Sequence, residues 1–349
     1  MNIEEMVDYF ISRSPDFFKD NEINDVDLKH KEIVSSAYQQ IKKSNSSNFR
    51  NWSLQSDMGG PSDIILKQGF MQGFIRPIFK KIFQYKREKA LLQSLLDDLN
   101  IIKIIDGNTL LKDNPVHLTP GVTDYYNLGE TTVNFRWLRY IYLTKRICDL
   151  KVLSDGGVWM DIGPFYGGLQ GLVHKYNPKA RIVLVDFHHQ LCRSYLYLSQ
   201  LYPDAIHVFP DQISDLSAFE SSPEGSFIYV PAKNFEVISN YRVDLASNFF
   251  SFGEMKREFF IEYIKSKVVS KSRHLFLVNR FVSAPFFEPT YDSDLTILDY
   301  IDNERSIDYF DVFPMHHYFA PYRELFGRYG LRNVSSSYFE YLSSNSKFK

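Results

Sequence analysis

Residues 159–168 (WMDIGPFYGG) combine a carboxylate with glycines at the point where a short apolar strand leads into a loop and a helix. Glycine allows the backbone of such a loop to approach a ligand closely. The first turn of the helix adds unpaired N–H groups and the positive end of the helix dipole. The pattern therefore predicts a binding loop for either a dinucleotide pyrophosphate or a methionine carboxylate.

Two acids distinguish between these ligands. Asp161, at the start of the loop, would face the phosphates of a dinucleotide unfavourably, but it would pair well with the ammonium of S-adenosylmethionine. Asp186 ends the next apolar strand (RIVLV) and is placed to accept hydrogen bonds from ribose hydroxyls. Phe187 beside it would pack on the adenine. The pair favours S-adenosylmethionine over a nicotinamide dinucleotide.

The order of Asp-x-Gly, a glycine that opens a helix and a strand-terminal acid resembles the class I S-adenosylmethionine-dependent methyltransferases, over about residues 150–349. Phe165 replaces the middle glycine of their usual pattern. The resemblance implies an α/β fold, with a Rossmann-like sheet that has helices on both faces, and S-adenosylmethionine as cofactor. The cofactor-binding residues predicted in this way are Asp161, Gly163, Pro164, Tyr166, Gly167, Gly168, Asp186, Phe187 and Asn248.

A second resemblance concerns the acceptor. The run Asn-x-x-Ser-Phe-x-Glu-Met at 248–255 resembles the sugar O-methyltransferases found with surface-polysaccharide genes, and so does the helix at 134–147 (NFRWLRYIYLTKRI), through Arg139 and Tyr140. Together these segments cover about residues 130–285. The resemblance implies methyl transfer to a sugar hydroxyl of a surface polysaccharide or its precursor, with a free or carrier-linked sugar or glycan as acceptor.

A hydroxyl acceptor needs a group that takes its proton. Glu254 follows the fourth strand and is one candidate, although a carboxylate that stabilises a helix dipole is an equal explanation. His316 and His317 titrate near neutrality and are the other candidates, although such a pair is more often structural. No metal site is predicted, because the carboxylates that follow the fifth strand have no diagnostic spacing. These are Asp292, Asp294, Asp299 and Asp302.

The elements that must position these residues alternate between strands and helices, which predicts parallel β-α-β units. Two short apolar runs, 206–209 and 227–230, compete for the third strand, and the second is favoured because it is more apolar. We expect a helical N-terminal region over residues 1–115 and the methyltransferase domain over 116–349. The predicted strands are 158–162, 181–185, 227–230, 243–246 and 274–278, and the predicted helices include 3–12, 134–147, 167–176, 190–201 and 258–269.

Composition and net charge limit the partners and the cell compartment that the sequence allows. A net charge of −2 over 349 residues gives no basic field, so a nucleic-acid partner is not expected. Two cysteines, and no signal peptide or long apolar run, favour a cytoplasmic protein. The basic segment 76–89 (RPIFKKIFQYKREK) would suit peripheral contact with the inner face of a membrane, although a solvated helix with a core face is the commoner explanation. The sequence does not indicate an oligomeric state.

Two alternatives remain open. One is an NAD-dependent nucleotide-sugar oxidoreductase or epimerase, against which Asp161 and the lack of a well-placed Tyr-x-x-x-Lys pair argue. The other is a non-catalytic binding protein on the same fold, which Phe165 leaves open because it departs from the usual glycine pattern.

Overall fold

The computed structural model describes residues 3–13, 36, 89, 92–122, 124–213, 215–282, 295–315, 319–323, 329–333 and 338–345. The helices are α1 (Ile3–Ser12), α2 (92–104), α3 (Asn108–Lys112), α4 (Phe135–Asp149), α5 (Gly168–Tyr176), α6 (His188–Leu201), α7 (Leu216–Glu220), α8 (Arg257–Ile264), α9 (Lys267–Lys271) and α10 (Ile297–Tyr300). The strands are β1 (Tyr126–Leu128), β2 (Thr131–Val133), β3 (Val158–Ile162), β4 (Arg181–Asp186), β5 (His207–Val208), β6 (Phe227–Pro231), β7 (Leu245–Phe249), β8 (His274–Arg280), β9 (Arg305–Val312), β10 (Phe319–Arg323), β11 (Tyr329–Asn333) and β12 (Tyr338–Asn345).

Eight strands form one twisted sheet in the order β5-β6-β4-β3-β7-β8-β12-β9. The six strands from β5 to β8 pair in parallel, whereas β12 is inserted between β8 and β9 and runs antiparallel to both. After β3, the chain forms β4, β5 and β6 on one side of this strand. It then crosses back and forms β7 on the other side of β3. This reversal is the topological switch point at which doubly wound sheets open a ligand crevice.

Helices cover both faces of the sheet, because successive strand residues point to opposite sides. Trp159 packs in the hydrophobic cluster that includes residues of α4, α5 and α6, whereas the adjacent Met160 packs in the cluster that includes residues of α8 and α9. The same alternation holds for Ile182 and Val183 in β4. These observations confirm the Rossmann-like α/β sheet that the sequence predicted.

The strands and helices differ from the prediction at several points; the strand predicted at 243–246, for example, is β7, Leu245–Phe249. Both 207–208 and 227–231 are strands of the sheet; the favoured run, now β6, is the one that pairs with β4, and β5 lies beyond it at the edge. The single helix predicted over 258–269 is divided into α8 and α9, because the side chain of Ser266 accepts a bond from the Val269 N–H and starts a new helix.

Helix α4 lies beside the crevice and is fixed at both ends. Its first turn is capped by Asn134, whose side chain accepts a bond from the Trp137 N–H at 2.8 Å. Further along, Tyr142 Oη and Arg146 Nε donate to the two oxygens of the buried Glu340, at 2.6 and 2.7 Å. The helix is thereby held against β12, which lies three strands from β3 in the sheet.

The described part of the N-terminal region shares the core of the sheet domain. Met6, Val7 and Phe10 of α1 are buried in the same hydrophobic cluster as Trp159, and so are Leu95 and Ile102 of α2. Segment 76–88 lies outside the described residues. No helix in the described ranges is long and apolar enough to cross a membrane.

Candidate active site

The crevice at the switch point is bordered by the loops that follow β3 and β7. Gly163, in the first of these loops, has φ +76°, a conformation that glycine adopts without strain, and its N–H donates to the Val185 carbonyl at 2.9 Å. A Cβ atom at this position would lie 2.2 Å from Ser251 Oγ of the second loop. Glycine is therefore required at position 163 because the two loops meet there.

Aromatic side chains pack against the rest of the glycine loop. Gly167 has φ +84° and caps the N-terminus of α5. A Cβ atom on Gly168 would lie 2.5 Å from the ring of Tyr166, which is buried against Tyr140 and Tyr197. Pro164 is buried as well. Contact of Pro164, Tyr166, Gly167 and Gly168 with the cofactor stays a prediction. In the structure, these residues shape the loop.

Phe165, which replaces the usual glycine, keeps the backbone conformation that glycine would adopt, with φ +58°. A bulky residue in this region is a strained outlier, of the kind that clusters at functional sites. Two guanidinium groups lie over its ring, those of Arg136 at 4.2 Å and Arg193 at 4.1 Å from the ring centroid. Its carbonyl accepts a bond from Ser194 Oγ at 2.7 Å. These contacts offset the strain of the loop.

Asp161 lies beneath the loop and is only 2% exposed. One carboxylate oxygen accepts from Ser247 Oγ at 2.5 Å, and the other accepts from Gln170 Nε2. Burial raises the pKa of Asp161 to about 7, and the two hydrogen bonds hold it down. Gln170 Oε1 is buried and accepts no hydrogen bond from any described residue. A buried carboxylate beside an unsatisfied amide oxygen is an environment that favours a cationic donor such as an ammonium.

Asp186 and Phe187 lie at the end of β4, next to the glycine loop. Asp186 is half-buried, and one of its oxygens accepts from the Phe187 N–H at 2.8 Å. The Phe187 ring is also half-buried and stacks on that of His189, with centroids 5.8 Å apart and planes 13° apart. The structure thus provides a carboxylate and a flat ring side by side at this edge of the sheet.

Asn248, at the end of β7, ties the two loops together. It is fully buried; its Nδ2 donates to the Ile162 carbonyl at 2.7 Å, and its Oδ1 accepts from the Phe252 N–H at 2.9 Å. The side chain of Asn279 donates to it at 3.1 Å. Direct contact between Asn248 and the cofactor stays a prediction. In the structure, the hydrogen bonds of Asn248 hold the loops after β3 and β7 together.

The β7 loop repeats the feature seen at Phe165. Phe250 has φ +78°, and the Arg139 guanidinium lies over its ring at 5.2 Å. Burial lowers the pKa of Arg139 to about 10, and the charge of Arg136 adds to this effect. Two strained phenylalanines thus follow two adjacent central strands, and arginines from the first two turns of α4 hold both.

Glu254 lies in the same loop, at the end of a short 3₁₀ helix, Phe252–Glu254. The side chain is half-buried. Burial raises the pKa of Glu254 to about 7, against the lowering effect of Arg280 and Arg136. The side chain is therefore a carboxylate that can both accept and release a proton near neutral pH. Arg280 ends β8 and donates to Tyr338 Oη at 2.8 Å.

Several other candidates lie elsewhere. His316, His317, Asp292 and Asp294 fall outside the described residues. Asp299 caps α10 and pairs with Arg257, and Asp302 accepts from the Glu304 N–H, so both act in local structure. Across the ranges that are described, no group of three or more His, Cys, Asp or Glu side chains is arranged to hold a metal ion.

The sequence reasoning missed most of the arginines around this crevice. Arg136, Arg193 and Arg280 come from three different elements, and they meet only in the folded chain. The available signal was the NFRWLRY segment, in which two arginines stand among apolar and aromatic residues at the start of a helix. Ser247 and Gln170 were missed because an ordinary polar residue in a strand or helix gives no sequence signal.

The doubly wound sheet, with a glycine loop and acids at two neighbouring strand ends, defines a Rossmann-like protein with a ligand crevice at the carboxyl edge. No protein-family model matches the chain, and no curated protein matches it. Solved structures do match. A SAM-dependent methyltransferase from Aquifex aeolicus shares 13% identity over 58% of this chain and 89% of its own, with a TM-score of 0.33. Magnesium protoporphyrin IX methyltransferase from Synechocystis, with bound SAM, shares 11% identity over 60% of this chain and 80% of its own, with a TM-score of 0.34. Likeness at this level concerns the fold alone.

Proposed function

We propose that this chain is an S-adenosylmethionine-dependent methyltransferase. The observation that carries the proposal is the placement of Asp161 and Asp186 at the ends of two adjacent parallel strands, on either side of the glycine loop. In this proposal, Asp186 binds the ribose hydroxyls and Phe187 packs on the adenine. Asp161 and Gln170 Oε1 attract the ammonium. The cofactor supplies an electrophilic methyl group.

We further propose that the acceptor atom is a hydroxyl oxygen. A hydroxyl is a poor nucleophile and benefits from a positioned base. Glu254 supports this proposal because it is half-buried beside the crevice and its pKa, raised to about 7 by burial, leaves much of it able to take a proton at neutral pH. Transfer forms the bond between the acceptor oxygen and the methyl carbon, breaks the sulfur–methyl bond and delivers the hydroxyl proton to Glu254.

The finer proposal is a sugar hydroxyl of a surface polysaccharide or its precursor, modified in the cytoplasm. It is supported by the resemblance of 248–255 and 134–147 to sugar O-methyltransferases. Both segments border the crevice: the first contains Glu254, and the second contains the arginines over Phe165 and Phe250.

The first test is calorimetric binding of S-adenosylhomocysteine, with NAD as the control ligand. We expect binding of S-adenosylhomocysteine alone. Asp161→Asn should weaken it by about 1–3 kcal/mol through loss of a charge-assisted bond, and Asp186→Ala should weaken it similarly through the ribose. Binding of NAD instead would establish the oxidoreductase alternative, and unchanged affinity in both variants would remove the proposed cofactor site.

A second test separates the enzyme from a non-catalytic binding protein. Purified protein is supplied with radiolabelled S-adenosylmethionine and a panel of sugars, sugar phosphates and polysaccharide fragments. Methyl transfer to any hydroxyl of the panel is the expected result. Tight cofactor binding without transfer to any member would favour a protein that binds without turnover.

A further inference from the structure

Four buried side chains, called the Asp161 network here, are joined by hydrogen bonds in the middle of the sheet. Trp159 Nε1 donates to Ser247 Oγ at 2.7 Å, and Ser247 Oγ donates to one oxygen of Asp161 at 2.5 Å. Gln170 Nε2, in the first turn of α5, donates to the other oxygen. Asp161 and Ser247 are opposite each other in the register of β3 and β7, and all four side chains are at most 2% exposed. The network therefore links the two central strands to the helix that follows the glycine loop.

The indole of Trp159 fixes the direction of these bonds. An indole N–H can only donate, so the oxygen of Ser247 accepts there, and its single proton is left for Asp161. The amide nitrogen of Gln170 can also only donate. A proton on either oxygen of Asp161 would face one of these donors, so the arrangement suits the ionised carboxylate.

Burial opposes this ionised state. It raises the pKa of Asp161 to about 7, while the bonds from Ser247 and Gln170 lower it. Tyr140 of α4 also faces Asp161; burial raises the pKa of this phenol, so it is neutral at that pH and adds no charge. The charge of Asp161 near neutral pH therefore depends on the two bonds that it accepts.

The same arrangement leaves Gln170 Oε1 buried and without a donor among the described residues. A carboxylate and an amide oxygen thus lie on neighbouring side chains, and both can only accept hydrogen bonds. A single ligand group that satisfies both must carry at least two N–H or O–H bonds, and a positive charge strengthens its bond to the carboxylate. An ammonium group meets these conditions, whereas a hydroxyl carries one proton and an ionised carboxyl group carries none.

We infer that Ser247 is a positioning residue, which holds Asp161 ionised beside Gln170 Oε1 so that the pair selects a cofactor with an α-ammonium group. The inference rests on the proposed function, in which this ammonium belongs to the methionine part of S-adenosylmethionine. Trp159 orients the Ser247 hydroxyl. Without that hydroxyl, the pKa of Asp161 rises, and a larger fraction of the side chain is protonated at neutral pH and does not attract the ammonium.

The test compares S-adenosylhomocysteine with 5′-methylthioadenosine, which lacks the amino-acid group, by calorimetry at neutral pH. Ser247→Ala should weaken S-adenosylhomocysteine about tenfold, because a hydrogen bond to a charged group is lost, and should leave 5′-methylthioadenosine unchanged. Ser226→Ala is the matched control, because this buried hydroxyl precedes β6 at the amino end of the strand and bonds to no described residue. It should change neither affinity. Equal weakening of both ligands by Ser247→Ala would indicate a merely structural role and overturn the inference.

The pH dependence of binding is the second readout. In the wild type, the affinity for S-adenosylhomocysteine relative to 5′-methylthioadenosine should fall as the pH drops below about 7, because Asp161 becomes protonated. In Ser247→Ala the fall should begin at a higher pH, because one of the bonds that lower the pKa is gone. A relative affinity that does not change with pH in the wild type, or an identical profile in the variant, would contradict the inference.

A second variant covers the case in which Ser247→Ala does not fold, as judged by far-ultraviolet circular dichroism. Gln170→Met removes the other bond to Asp161 and leaves β7 intact, and it should cause the same selective loss of S-adenosylhomocysteine. If the wild type binds neither ligand, the proposed function is wrong and the inference with it. If the wild type binds S-adenosylhomocysteine and the variants bind it equally well, the inference alone is wrong.

Discussion

At the scale of single residues, the crevice contains two kinds of left-handed residue. Gly163 and Gly167 adopt positive φ without strain, whereas Phe165 and Phe250 adopt it at a cost that their contacts must offset. The glycines permit close packing of two loops, and the phenylalanines present rings to guanidinium groups. All four residues have positive φ, so the sign of φ does not separate the glycine positions from the phenylalanine positions. What separates them is the space that is available for a side chain.

Gly163→Ala measures that space. The substitution combines a strained φ with a Cβ atom 2.2 Å from Ser251 Oγ. Gly129→Ala is a matched control, because Gly129 has φ +64° and nothing within 4 Å of an added Cβ. We expect Gly129→Ala to cost about 1–2 kcal/mol of unfolding free energy and Gly163→Ala to cost a further 1–3 kcal/mol or so, because the added atom overpacks the junction. Urea unfolding of the three proteins measures the difference. Equal costs would mean that the loops are not tightly packed at this position.

Glu254→Gln tests the base. We expect turnover to fall by about 10²–10⁴ with the affinity for S-adenosylhomocysteine unchanged. In the wild type, turnover should rise as pH increases through about 7, because burial raises the pKa of Glu254 to about 7 and only the carboxylate takes a proton. Glu258→Gln, which changes an exposed carboxylate in the first turn of α8, is the control and should retain turnover.

The pH profile by itself does not separate Glu254 from the histidine candidates. Burial raises the pKa of Glu254 to about 7, which is close to the ordinary pKa of a histidine side chain, so either kind of base would give a rising limb in this range. The variants decide instead. If Glu254→Gln keeps wild-type turnover and the rising limb, and if His316→Ala or His317→Ala abolishes both, a histidine is the base.

At the scale of elements, α4 connects the loops after β3 and β7 to strand β12, which lies next to the edge strand β9. Its first turns hold Phe165 and Phe250, while Tyr142 and Arg146 bond the buried Glu340 of β12. The position of the crevice arginines thus depends on a contact on the opposite side of the switch point.

Arg146→Met tests this anchor. The substitution leaves the Glu340 carboxylate buried without its cation, and we expect a loss of about 3–5 kcal/mol of unfolding free energy at neutral pH. Lys145→Met is the matched control on the same helix, since Lys145 pairs with the partly exposed Asp149, and it should cost about 0.3–0.5 kcal/mol. Burial already raises the pKa of Glu340, so the deficit of Arg146→Met should shrink as the pH falls and the carboxyl is protonated. Equal losses in the two variants would show that the buried pair does not anchor the helix.

At the scale of the whole molecule, the N-terminal helix packs on the sheet domain close to the proposed adenosine side. The ring of Phe10 lies 6.4 Å from that of His188, the residue directly after Asp186 and Phe187. It also contacts Tyr195, Phe209 and Tyr229. We therefore expect residues 3–12 to unfold together with the domain.

Phe10→Ala tests this expectation. A fully buried phenylalanine that is truncated to alanine should cost about 3–5 kcal/mol. Tyr9→Phe keeps the neighbouring ring and removes only its bond to Asp211, so it should cost less than about 1.5 kcal/mol. Urea unfolding measures both costs, and hydrogen exchange measures the protection of 3–12. Fast exchange of this helix in the wild type, with no loss of stability in Phe10→Ala, would show that α1 does not belong to the cooperative core.

The sequence by itself determined the features that depend on neighbouring residues. The periodicity and the breakers of 158–201 predicted β3, α5, β4 and α6, and the strand-terminal positions of Asp161 and Asp186 followed from them. The amphipathic pattern of 134–147 predicted α4. Such signals are local, because hydrogen bonds and side-chain spacing within a helix or strand involve residues only a few positions apart.

The tertiary structure alone decided what surrounds those residues. The bond from Ser247 to Asp161 joins positions 86 residues apart, and the bond from Tyr142 to Glu340 joins positions 198 apart. The insertion of β12 between β8 and β9, the two arginines over the ring of Phe165 and the elevated pKa of Glu254 all depend on such distant contacts. Burial and charge are properties of the assembled neighbours of a side chain, and these neighbours come together only when the chain has folded.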